Sequence, residues 1–206
     1  MQKTIETKRN RLTLILIFAV PVVVLLASTL LYFLADARVV ELGEANRGTL
    51  MTPPVQLAEL HLVDASGQAL DYSQPEPRWS YMVFGGASCD NLCERALFVI
   101  GQTHKLLGKK TNRVQRFYVS TDGAIEPALQ ELMDQQHPDL RLAYGAPEMI
   151  MEQLAAPELD PLSEQVFFLV DPRGWVMMYY SVGDSSQETL SLLSKDMIKD
   201  VKRLIP

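Results

Sequence analysis

Thiols and imidazoles are scarce in this chain: 206 residues hold two cysteines and three histidines. Both cysteines, Cys89 and Cys93, fall in one stretch, FGGASCDNLCERALFVIG, residues 84–101. Thiol chemistry, a soft-metal clamp or a disulfide staple therefore has a single place to be built. Basic charge is short as well: 19 Lys and Arg stand against 25 Asp and Glu, a formal −6. No cationic stripe follows a helix or strand, which argues against nucleic acid as a partner. There is no internal repeat and no low-complexity tract. Gly85-Gly86 lacks the spacing and the lysine of a phosphate loop.

Long apolar runs are also few, and one is decisive. LTLILIFAVPVVVLLASTLLYFL, residues 12–34, has no charged residue and is long enough to cross a bilayer core as a helix of about 20 residues. Pro21 is tolerable there. Lys3, Lys8, Arg9 and Arg11 precede the run against Glu6 alone, and Asp36, Arg38, Glu41 and Glu44 follow it. The positive-inside rule puts residues 1–11 in the cytoplasm and everything after about residue 35 outside. Ala35-Asp36-Ala37 has the form of a signal-peptide cleavage site, but the run exceeds the about 7–15 residues of a signal core, so an uncleaved anchor is expected. In a bacterial cell this makes an inner-membrane protein with a periplasmic domain, where a cysteine pair can be oxidised and persist. About 170 residues follow, enough for one domain. They carry 15 of the basic and 24 of the acidic residues, a formal −9.

Punctuation and period divide that part. Residues 35–54, ending in Pro53-Pro54, read as a linker, and 55–206 as the domain. LAELHLVDASGQAL, 57–70, reads as two short strands around the turn Asp64–Gly67. YMVFGG, 81–86, is a buried strand that stops at two glycines. Asn91–Leu107 has an apolar stripe at helical spacing, with Asp90 as N-cap and Gly108 as C-cap. Strand 113–121, helix 128–136 between Pro127 and Pro138, strand 140–145 and helix 147–155 follow. QVFFLVDPRGWVMMYYSVG makes a hairpin of strands 165–170 and 175–182 around Asp171-Pro172-Arg173-Gly174. Ser185 or Ser186 caps a last helix with the stripe Leu190, Leu193, Met197, Val201 and Leu204. Strand–helix–strand with a cysteine pair at the end of the first strand, closed by a hairpin and a helix, is the pattern of an α/β thioredoxin-like fold, a central mixed sheet flanked by helices.

Three segments make a resemblance specific. YMVFGGASCDNLCE stands in place of a strand leading into Cys-x-x-x-Cys-Pro. FYVSTDGAIEPALQELMDQQHPDLRLAYG is similar to a strand, "SVDP" turn, helix and "HPDF…LTG" segment, and FFLVDPRGWVMMYY to a "YLIDPDG" hairpin. In this order they resemble the Sco/SenC/PrrC family over about residues 57–205, with the anchor in the right place. The resemblance implies a membrane-anchored thioredoxin-like protein that helps assemble the copper centre of cytochrome c oxidase. Its partner would be an oxidase subunit, another assembly factor or a copper carrier. Two departures stand out. Family members hold copper with the two cysteines and a histidine a little before the Asp-Pro turn, and Ser163 occupies that position here. Glu94 replaces the proline after the second cysteine. Of the three histidines, His61 lies in the expected N-terminal hairpin, His104 eleven residues past Cys93, or about 16 Å along a helix, and His137 at a helix end. Each reads as a surface or satisfied histidine.

The pair itself leaves three readings open. Residues i and i+4 on a helix have Cβ atoms about 5–6 Å apart, whereas a disulfide needs about 3.5–4.5 Å. Cys89 must therefore precede the helix, with Cys93 in its first turn, where N–H groups and dipole favour a thiolate and Asp90 and Glu94 oppose it. Cys89 and Cys93 would be catalytic in thiol–disulfide exchange, Cys89 attacking and Cys93 resolving. They would alternatively bind Cu(I), a soft ion that two thiolates can hold without an imidazole. Or they form a local staple in a docking protein, although so short a loop stabilises little. A thiol peroxidase would need a Pro-x-x-x-Thr-x-x-Cys arrangement, which residues 82–89 lack. Asp122 with Glu126 and Glu158 with Asp160 read as caps or solvated turns, and Trp79, Trp175, Met177 and Met178 as packing.

Overall fold

The computed structural model describes residues 2–36, 47–73, 76–157, 159–163, 166–181 and 187–205. The chain forms two units, Met1–Ala45 and Asn46–Pro206. The first is one helix, α1 (Gln2–Asp36). The expected span 12–34 lies within it, in part on residues whose side chains fall outside those described. Among the described residues no helix is long and apolar enough to cross a membrane. The described side chains from Ile17 to Phe33 are exposed, apart from half-buried Ala19.

The second unit is a six-stranded sheet flanked by helices. Its strands are β1 (Thr49–Gln56), β2 (Trp79–Gly85), β3 (Val114–Ser120), β4 (Leu140–Tyr144), β5 (Val166–Val170) and β6 (Trp175–Ser181). They lie in the order β1-β6-β5-β2-β3-β4. β2, β3 and β4 run parallel; β5 is antiparallel to β2, and β6 and β1 continue antiparallel. The helices are α2 (Asn91–Leu106), α3 (Pro127–Gln136), α4 (Pro147–Gln153) and α5 (Gln187–Leu204). Parallel neighbours need crossover helices, which cover the sheet and leave the central strands apolar throughout.

β2 shows how its sequence serves two cores. Alternate side chains leave a strand on opposite faces. Tyr81 and Val83 join Ala96, Leu97 and Ile100 of α2, Leu129 and Met133 of α3, and Met197 and Val201 of α5. Met82 and Phe84 join Phe117, Phe168, Ile150 of α4 and the segment Leu57–Leu62 on the other face. On the first face α5 carries a buried acid. Asp200 Oδ2 accepts the Tyr180 hydroxyl at 3.0 Å and the N–H groups of Arg47 and Gly48 at 2.8 and 3.0 Å. That carboxylate fastens the start of the domain to its last helix. Burial, then the Asp200 charge, pushes the Tyr81 and Tyr180 hydroxyls far up.

The N-terminal expectations need correction. Residues 49–54, assigned to the linker, belong to edge strand β1. Pro53 and Pro54 have no N–H to donate, and an edge strand tolerates this where the register breaks between Leu50 and Val55. Leu57–Leu60 is a 3-10 turn, not a strand. Of the expected hairpin only the bridge Val63–Ala69 forms, and Val63 also bridges to Tyr144, the last residue of β4. Gly108 does close α2 as expected: the helix ends at Leu106 and Gly108 follows with φ +60°, after which a 3-10 stretch, Gly108–Arg113, begins. Ser185 and Ser186 lie outside the described residues.

Candidate redox site

The site stands at the C-terminal end of β2. The strand stops at Gly85 because the next turns of chain are claimed from the neighbouring strand. Thr121 donates to the Gly85 carbonyl through its N–H (2.9 Å) and its hydroxyl (3.0 Å). Tyr118 donates to the Gly86 carbonyl at 2.8 Å, and the Glu126 N–H to that of Ala87 at 2.7 Å. Gly85 is sterically required, since a Cβ there would collide with the Tyr118 hydroxyl; at 86 a Cβ would meet only the end of the exposed Asp122 side chain, 2.9 Å from Oδ2. The loop is thus held at three successive carbonyls, by β3 and the segment that follows it, before it delivers Cys89.

Cys89 and Cys93 form a disulfide with Cα atoms 5.2 Å apart. Cys89 precedes the N-cap and Cys93 lies in the first turn of α2, as the spacing requires. Asp90 has an extended backbone and caps the helix, its Oδ1 accepting from Leu92 N–H at 2.8 Å and Cys93 N–H at 3.0 Å. The two sulfurs have different surroundings. Cys93 is 0% exposed, inside the apolar cluster with Ala96, Leu97 and Leu129, whereas Cys89 is half-buried at its margin. An incoming group therefore reaches Cys89 first.

Among the described residues nothing completes a Cys₂His metal site. Ser163 sits in a tight turn in which its N–H donates to the Asp160 carbonyl (3.1 Å) and its carbonyl accepts from Val166 (3.0 Å). Glu164, Gln165 and Glu158 lie outside the described residues. Among the described residues no three His, Cys, Asp or Glu side chains are grouped to hold a metal. His61 ends the Leu57–Leu60 turn with φ +49°. His104 has both ring nitrogens engaged, Nε2 at 3.0 and 2.8 Å from the carbonyls of Thr111 and Val114, and Nδ1 at 3.0 Å from Asp139. His137 is buried behind α3, and burial, then the Arg116 charge, holds its ring below the usual histidine range. The donors present are two sulfurs without imidazole, which does not fit a Cys₂His copper site.

At the far end of the same helix lies a cluster the sequence reading missed. Arg116, 1% exposed, points from β3 under α2 and pairs with Asp139 through Nε and Nη2. Asp139 also meets His104. Burial pulls the Asp139 carboxyl up, but the Arg116 hydrogen bonds and charge, with His104, outweigh it and hold the group below its usual range. Gly101 makes room, since a Cβ there would be 3.0 Å from Arg116 Nη1. An arginine at the middle of VQRFYVS, a central strand buried at every position, was the signal to follow.

Comparison with known proteins places the fold. No curated protein matches the chain in sequence. The apo Sco1 protein of Thermus thermophilus superposes with a TM-score of 0.55 at 18% identity, over 80% of this chain and 100% of that one. Copper-bound yeast Sco1 gives 0.52 at 18% over 80% and 98%, and a SCO1/SenC family lipoprotein of Bacillus anthracis 0.52 at 17% over 79% and 100%. The expected Sco-like, thioredoxin-like architecture is therefore present, a mixed sheet between helices. Residues 79–205 match the family model of the transmembrane-like, thioredoxin-like C-terminal domain. With more than half its length in that match, the chain belongs to the transmembrane-like, thioredoxin-like family, on the fold of the Sco1 proteins.

Proposed function

We propose that the chain is a membrane-anchored thiol–disulfide exchanger whose extracytoplasmic domain works through Cys89 and Cys93 on a protein of cytochrome c oxidase assembly, an oxidase subunit or a copper carrier. The observation that carries this is the asymmetry of the pair. Exchange needs one sulfur that a partner reaches and one that waits behind it to resolve the mixed disulfide. Half-buried Cys89 and fully buried Cys93 have those positions. The step is a two-electron exchange: the reduced pair closes to a disulfide while the partner's disulfide opens to two thiols, and two protons follow the electrons. The oxidase context rests on the likeness to Sco1 structures. The anchor is supported by residues 12–34, uncharged and exposed along the described part of α1.

Trapping tests it. In cells, Cys93→Ser is expected to accumulate a mixed disulfide with a partner, and Cys89→Ser is not. Adducts on Cys89→Ser alone would reverse the roles. No adduct on either variant, together with one-to-one Cu(I) binding by the reduced wild type that Cys89→Ser/Cys93→Ser abolishes, would replace exchange by copper carriage.

A further inference from the structure

Two segments far apart in the chain bring cations together without an acid. KLLGKKTNR, residues 105–113, ends α2 and leads into β3, and VKRLI, residues 201–205, ends α5. They hold Lys105, Lys109, Lys110, Arg113, Lys202 and Arg203, and neither contains Asp or Glu. The fold sets them side by side: Lys110 Nζ donates to the carbonyls of Lys202 at 3.5 Å and Ile205 at 2.6 Å. Lys109, Arg113 and Lys202 are exposed. The acids that border this end are engaged. Glu76 meets Arg78 at 3.4 Å, Asp71 accepts from Ser73, and Asp139 holds Arg116 and His104. Asp171 accepts from the N–H groups of Arg173 and Trp175, and Asp200 is buried against Tyr180 and Gly48.

Lysines at helix C-termini offset the helix dipole, which accounts for Lys105 and Lys202. It does not account for the apolar side chains among them. Leu106 is 58% exposed and Leu204 38%. Half-buried Trp79 lines, with Arg113 and Pro172, a cavity of about 530 Å³, and Lys109 lines a neighbouring one of about 760 Å³. Arg78 and Asn112 border both cavities, and Arg78 Nε is buried without a partner. Cations beside exposed leucines and a tryptophan match the layer of a bilayer where phosphates meet acyl chains. This is also the end of the domain remote from the disulfide, since Cys93 opens α2 and Leu106 ends it, about 20 Å along the helix.

Resting on the anchored reading, we propose that the end formed by residues 105–113 and 201–205 docks on anionic phospholipid headgroups of the membrane that holds the chain. Lys109, Arg113 and Lys202 meet the phosphates, and Leu106 and Leu204 reach the acyl boundary. The disulfide then stands on the side of the domain away from the lipid, open to the thiols of an extramembrane domain and closed to thiols at the bilayer surface.

The test uses the full-length chain in nanodiscs of phosphatidylcholine alone or mixed with phosphatidylglycerol. A water-soluble acetylating reagent labels the lysines, and mass spectrometry reads each one. Lys195, exposed on α5 about 10 Å upstream of Lys202, is the internal reference. With phosphatidylglycerol, Lys109 and Lys202 are expected to label at least about fivefold more slowly relative to Lys195, the factor that one cation near an anionic surface supplies. That protection should vanish in about 1 M salt, where the Debye length is about 3 Å. Arg113→Gln/Lys202→Gln should reduce the protection of Lys109 by at least about twofold. Equal relative labelling in the two lipids would overturn the docking and leave the anchor standing. Protection that follows protein concentration and not lipid charge would overturn it too, and assign the face to a second copy of the chain. Failure of the chain to enter nanodiscs of either kind would remove the anchor, and this proposal with it.

Discussion

Single residues at two places in the domain carry charge that the fold must compensate. Asp139 is the better placed for measurement, because its carboxyl is held below the usual range by Arg116 and His104. An unfolded aspartate titrates near about 3.9. A folded value below that gives stability that is whole above about pH 5 and is lost as the pH falls through the folded value. Urea unfolding of wild type and Asp139→Asn is therefore expected to show a gap at pH 6 that narrows below about pH 4. A gap of constant size down to pH 3 would contradict the assignment. His137 follows the same sign at higher pH, since its ring is pushed down. Its contribution is whole above about 6.5 and declines as the pH drops toward the lowered folded value. The loop before Cys89 gives a second residue-scale expectation. Gly85→Ala should destabilise by about 1–3 kcal/mol through the clash with the Tyr118 hydroxyl. Tyr118→Phe removes that oxygen, so the double variant should cost less than the sum of the singles. Strict additivity in thermal melts would mean the hydroxyl is not what Gly85 avoids.

At the scale of elements, the sequence was most legible where period and caps agreed. β2, α2, β3, α3, β4, α4 and the β5–β6 hairpin lie within a few residues of where apolar spacing put them. Asp90 caps α2 as its position suggested. The failures have physical causes. Residues 49–54 looked like spacer because Pro53-Pro54 cannot serve a central strand, yet an edge strand with a break in register accepts them. Leu57 and Leu60, three apart, have the spacing of a 3-10 turn rather than of a strand. Pairing across long separations left little trace in the chain. Arg116–Asp139–His104 spans β3, the entry to β4 and α2, and Asp200 reaches back to Arg47 and Gly48. Each was visible only as a charge inside an apolar pattern. The disulfide was legible because both its geometry and its helix start follow from a spacing of four. That Cys93 would be the buried partner was not.

For the whole molecule, the short covalent loop and the anchor make separate predictions. The disulfide joins residues four apart, and closing so short a loop removes little entropy from the unfolded chain. Reduction is expected to leave the domain folded, with stability lowered by about 2 kcal/mol or less, measured by urea unfolding with and without dithiothreitol. Unfolding on reduction would make the pair a structural staple. The full-length chain is expected to sediment with membranes, to resist carbonate extraction and to be released by detergent, whereas a chain beginning after residue 35 should stay in the soluble fraction. Release of the full chain by carbonate alone would remove the anchor from the proposal.

The two-sided character of β2 has a consequence for how relatives of this chain can vary in length. Tyr81 and Val83 belong to one core, Met82 and Phe84 to the other. One residue inserted or deleted between 79 and 85 would exchange those memberships and turn every downstream side chain to the wrong face. It would also shift the glycines away from Tyr118 and carry Cys89 off its place before α2. The turn around 155–163, whose described residues pair only with one another through the bridge Ala156–Leu159 and with no strand of the sheet, can gain or lose residues without such a penalty. Along a lineage, insertions and deletions should therefore collect near Ser163, where a ligand is easily lost, and be absent from the strand that aims the cysteines.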